Sequence, residues 1–260
     1  MSGYILCQTK KADVPYYVEN ISTNIYSIEE LCYYLYHNLY LVDDSIMNEG
    51  LCDWLDEELQ LHSLAAKLRP KVGKFASAED FLYPIFKEIN YLTYEELRAL
   101  NVKLIKYDKE APLIREKKKG DALAENGMYV NAIRVYQKLL ERKDLEAVRE
   151  GITRELWHNL GCAYSYLFQM EKAVDCFEKE YLCGNTKDAL KTYLIAYKSI
   201  RTPIEYESRL TELEVGEDVR REIAETLNHF ARKPETPVYS QHVDGLLEQF
   251  MTDYHRSTGS

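Results

Sequence analysis

Residues 157–177 read "WHNLGCAYSYLFQMEKAVDCF". Trp157, Leu160, Gly161 and Tyr164 recur at i, i+3, i+4 and i+7, which is one face of a helix. A Gly inside a helix costs about 1 kcal/mol relative to Ala. Its place in the stripe therefore points to a neighbouring helix that comes too close for a Cβ. "FQME" interrupts the period, and a second amphipathic segment sets Ala173 and Phe177 one turn apart, a notch and a knob for the first helix. The stretch predicts a helical hairpin that cannot bury its apolar face alone, so other hairpins must stack on it. In this register Trp157 belongs to the core, and truncating it to Ala should cost roughly 3–5 kcal/mol.

The same spacing recurs upstream. Gly120, Leu123, Ala132 and Tyr136 precede Gly161, Tyr164, Ala173 and Phe177 by the same 41 residues, while Glu116 and Lys119 replace the Trp and the Leu. Downstream, "TKDALKTYLIAYKSI" sets Leu194 at the place of Leu160, with Ile195 instead of the Gly, after a Gly184-Asn185 turn. "EDVRREIAETLNHFA" and "SQHVDGLLEQFMTDYH" read as closing helices, with stripes of Val219, Ile223 and Leu227 and of Val243, Leu247 and Met251. The remainder is also helical from about residue 27. Ser27 with Glu30 and Thr93 with Glu96 predict capping boxes. Ser77 and Asn48 read as caps, Pro112 as a first-turn residue, and Pro84 as a kink or break. Residues 1–26 are β-branched and aromatic and read as a short hairpin or an extended arm.

W-x2-L-G-x2-Y followed by A-x3-F resembles the tetratricopeptide repeat signature, and all six positions are filled here. That family's period is about 34 residues, so the first two copies would be separated by a longer connection through "RKDLEAVREG". The resemblance implies an all-α fold: a right-handed solenoid of helical hairpins over residues 111–260, with an additional, mainly helical module over residues 1–110. It also implies a non-enzymatic adaptor or scaffold that holds a peptide or a partner's helix in a concave groove lined by the first helix of each hairpin. The alternative is a regulatory sensor whose array binds a signalling peptide or small effector. Mapped by helical geometry, the groove would be lined by Lys117, Asp121, Glu155, His158, Asn159, Cys162, Tyr166 and Tyr193. Some members of the family clamp a C-terminal carboxylate. Lys117 and Asn159 suit that role as donors, and Asp121 opposes it.

Composition narrows the function. The chain has 43 acidic and 33 basic residues and a net charge of -10, which disfavours nucleic acid as a partner. No apolar run approaches the roughly 20 residues that span a bilayer. The start resembles no signal peptide, so a cytoplasmic location is expected. None of the six cysteines sits in a CxxC pair, and they read as reduced thiols rather than a disulfide or metal site. His158 and Cys162, four apart, are a base and nucleophile in type, or half a metal site, yet no orienting acid or third ligand is visible. No Gly-rich phosphate loop, GxSxG or HExxH occurs, so neither catalysis nor a cofactor is expected. Of the 22 tyrosines, Tyr33, Tyr34, Tyr36 and Tyr40 crowd one helix. They are either core packing or an interface, including one for self-association through the N-terminal module.

Overall fold

Apart from one short hairpin, the regular elements among the described residues are helical; the structure, a computed structural model, describes residues 10–74, 77–142 and 151–231 and positions 245, 247 and 250–252. The chain divides into two units, residues 1–206 and 207–260.

The first unit opens with strands β1 (Tyr16–Val18) and β2 (Thr23–Ile25), antiparallel with Tyr16 opposite Ile25. Five helices follow: α1 (Ile28–His37), α2 (Glu49–Glu57), α3 (His62–Leu68), α4 (Ala78–Glu88) and α5 (Tyr94–Lys109). The indole N–H of Trp54 donates to the Val14 carbonyl at 2.8 Å, which pins the start of the hairpin to α2. Thr93 and Glu96 close both halves of a capping box. At α1 only one half closes: Ser27 accepts from the Glu30 N–H at 3.2 Å, while the Glu30 carboxylate turns to the Tyr26 N–H. Asn48 caps α2 through the Leu51 N–H, whereas Ser77 occupies its cap position without a side-chain bond. Of the kink or break expected at Pro84, the break does not occur: α4 runs through it with Phe81, Leu82, Ile85 and Phe86 all buried. Burial of these four outweighs a penalty of about 3 kcal/mol for an interior proline.

The tyrosines on and just after α1 differ in burial. Tyr34 is buried and Tyr33 is exposed, while Tyr40, just beyond the helix, donates to Glu110 at 3.0 Å and accepts from Lys118 at 2.8 Å.

Two hairpins follow, α6 (Pro112–Glu125) with α7 (Tyr129–Leu140) and α8 (Ile152–Tyr166) with α9 (Met170–Gly184), and α10 (Lys187–Ile200) packs on α9; α11 (Pro203–Glu212) begins in this unit and ends in the second. Helices pack in consecutive pairs along this run, as in an all-α helical-repeat solenoid. A Cβ on Gly161 would stand 2.6 Å from the Phe177 ring, and one on Gly120 would stand 2.6 Å from the Tyr136 ring. The same close approach is thus made in two successive hairpins. Trp157 departs from its expected place. Leu156 and Leu160 fill the hairpin core, which leaves the indole half-buried at the edge with the Lys179 ammonium 4.4 Å from its ring. The N-terminal helices meet α6 through Lys119 with Asp43, Lys118 with Glu110, and Asn126 with Asn38.

In the second unit, α12 (Glu217–Ala231) buries Val219 and Ile223 and leaves Leu227 half-buried. Arg220 bonds the Val215 carbonyl at 3.0 Å and Glu207 at 3.1 Å. Leu247 and Met251 are exposed together with Phe250, so these residues do not form the expected buried stripe; Val243 lies outside the described residues.

Candidate functional site

Between α6, the start of α7 and α8 lies a groove of about 480 Å³, walled by Asp121, Glu125, Tyr129, Tyr136, Asn159, Cys162 and Tyr166. Asp121 organises its floor. One carboxylate oxygen accepts from the Tyr136 hydroxyl at 2.9 Å and from the Asn159 amide at 2.8 Å, and the other takes the Lys117 ammonium at 2.8 Å. Lys117, with 12% of its side chain exposed, also stands 3.4 Å from Glu155. Burial pushes the Tyr136 phenol up, and the charge of Asp121 adds to it. At the rim, the rings of Tyr129 and Tyr166 stack at 4.5 Å and 4°, with Tyr166 65% exposed.

Of the residues expected here, Asp121, Asn159, Cys162 and Tyr166 come together in the groove, and Lys117 and Glu155 join through the floor's ion pairs. His158 turns away toward α9. Its Nδ1 lies 2.9 Å from Glu180, and its Nε2 lies 3.6 Å from the Cys162 sulfur. The bond to Cys162, followed by that to Glu180, outweighs burial and raises the imidazole to about 10. Tyr193 is a correction. It is 1% exposed, against the Tyr197 ring, with its hydroxyl 3.4 Å from Glu178. Ala189, Tyr193 and Ala196 form an apolar stripe of their own, and all three are buried. The carboxylate clamp is also pre-empted, since both candidate donors, Lys117 and Asn159, are held by Asp121.

Tyr129 and Tyr136 stand on a second helix, outside the first-helix register that the repeat pattern assigns to a groove. Tyr129 opens α7, and Tyr136 reaches the floor from the same helix. Glu180 was missed because it stands 22 residues from His158, across the turn of a hairpin.

Residues 155–179 match the tetratricopeptide repeat family model. No curated protein and no solved structure gives a significant match. The matched segment carries Glu155, His158, Asn159, Cys162 and Tyr166, while Lys117 and Asp121 belong to the preceding hairpin. A repeat of this kind suggests a role in protein–protein interaction. Among the described residues no helix is long and apolar enough to cross a membrane, and no group of three or more His, Cys, Asp or Glu is placed to hold a metal. His158 illustrates the second point: its two nitrogens face opposite ways, so Glu180 and Cys162 cannot share an ion with it.

Proposed function

We propose that the chain is an interaction adaptor whose groove between α6 and α8 receives a short segment of a protein partner bearing a basic side chain. The observation that carries this reading is the Asp121 network. The ammonium and amide that would greet a guest carboxylate already hold an internal one. Asp121 and Glu125 line the groove, and Asp121 shares Lys117 with Glu155. A guest guanidinium finds charge complementarity at Glu125, and the exposed face of Tyr166 offers it a ring to stack on.

A randomised array of short peptides probed with the full chain tests this. Enrichment of Arg- or Lys-containing peptides is expected, reduced by Tyr166→Ala and reversed toward acidic peptides by Glu125→Lys. Both residues are exposed, so stability should move by no more than about 0.5–1 kcal/mol. Enrichment of peptides ending in acidic residues in the wild type would overturn the reading.

A further inference from the structure

We propose that Cys162, faced by His158 and backed through it by Glu180, is a site of covalent modification by small disulfides. The relay is laid out across a hairpin. His158 and Cys162 are one turn apart on α8, and Glu180, a buried carboxylate, reaches His158 from α9. The Glu180 bond at Nδ1 fixes the ring so that its other nitrogen faces the sulfur at 3.6 Å, the order of parts that activates a nucleophile. The imidazole, raised to about 10, keeps its proton at neutral pH and presents an N–H to the sulfur. Burial pushes up the thiols of Cys32, Cys52 and Cys176, which suits inert packing.

Cys162 is also reachable, because it is half-buried and lines the groove. The titratable and charged groups around the pair are Asp121 and Lys117 from α6, Tyr136 from α7, Glu180 from α9, and Glu155 on α8 itself. Asp121 opposes a second anion nearby, but its charge is matched by Lys117 at 2.8 Å. One hairpin earlier, the positions equivalent to His158 and Cys162 hold that Lys117–Asp121 ion pair. This register therefore already carries a cation and an anion on successive turns.

In the reaction the Cys162 thiolate attacks one sulfur of the disulfide. The S–S bond breaks, the departing thiolate takes a proton from water, and Cys162 ends in a mixed disulfide, so one disulfide is consumed, one is formed and one thiol is released. The adduct would occupy the groove beside Asn159 and Tyr166. Blocking of a guest rests on the proposed groove function; the reactivity does not.

The test treats full-length protein with glutathione disulfide at pH 7, stops with acid and quantifies the adduct at each cysteine by peptide mass. The Cys162 adduct is expected to form at least about tenfold faster than that of the exposed Cys183, and His158→Gln should bring Cys162 down to the Cys183 rate without slowing Cys183. A Cys162 rate no higher than that of Cys183 would overturn the proposal without recourse to any variant, as would an unchanged Cys162 rate in His158→Gln.

Discussion

Replacing Gly161 by Ala sets a favourable helix effect against a steric one. In an exposed helix the change stabilises by about 1 kcal/mol. Here the new methyl carbon would meet Cε1, Cδ1 and Cζ of Phe177 at 2.6, 2.8 and 2.9 Å, where ordinary contact begins near 3.4 Å. The ring must retreat by most of an ångström, yet Phe177 is 4% exposed and has no open space to enter. Overpacking of this kind costs about 1–3 kcal/mol, so a net destabilisation of up to about 2 kcal/mol is expected. Urea unfolding of the wild type, Gly161→Ala, Phe177→Leu and the double variant would measure it. Phe177→Leu alone should cost about 1 kcal/mol, and the double variant should fall short of the two single costs combined by about 1 kcal/mol or more, because the leucine removes the clash. Additive costs, or a stabilised Gly161→Ala, would refute the close packing of α8 on α9. Gly120→Ala should cost more than Gly161→Ala, since the Tyr136 ring in its way is anchored by its hydroxyl to Asp121.

Asp121→Ala would strand Lys117, Tyr136 and Asn159 together, and a loss of about 2–3 kcal/mol is expected in denaturant titration. Trp157→Ala should cost about 1–2 kcal/mol rather than the full core value, because the ring is half-buried with the Lys179 ammonium over it; a loss above about 4 kcal/mol would contradict that placement. Thr93→Ala, which opens the capping box of α5, should remove about 1 kcal/mol. The imidazole of His158 is raised from 6.5 to about 10, so folding takes up its proton. The resulting stability is fully present below about pH 6.5 and is lost as pH rises through about 10. Melting temperatures at pH 7 and 10 should therefore fall further apart for the wild type than for His158→Gln.

How legible each feature was depends on where its partner lies along the chain. The Gly161–Phe177 contact sits inside one hairpin at a fixed spacing, so residue types alone announce it. Trp157 shared its stripe but not its burial, because which edge of a stripe is covered depends on the neighbouring helix, and here Leu156 and Leu160 took the core. Tyr193 shows the converse: counting from the best repeat placed it in the groove, while its flanking Ala189 and Ala196 already spelled a second apolar face. Glu180 was out of reach of any local reading, since only the antiparallel register of α8 and α9 brings it to His158. Pro84 shows a local rule yielding to tertiary burial.

The two best copies agree where the hairpin is built and differ where the groove is made. Gly, Ala and an aromatic ring recur at the same 41-residue offset, because a close helix contact admits little else. At that offset Lys117 answers to His158 and Asp121 to Cys162, and in each copy the two side chains meet across one turn, at 2.8 Å and 3.6 Å. Each pair is steadied from the second helix of its own hairpin, the first by the Tyr136 hydroxyl and the second by the Glu180 carboxylate. The helper has changed sides along with the charge. A donor supports the anion Asp121 in the first copy, and an acceptor supports the cation His158 in the second. One geometric slot has thus been filled once with a Lys–Asp ion pair and once with a His–Cys pair. The first suits fixing the charge of the groove, and the second suits changing what the groove can hold.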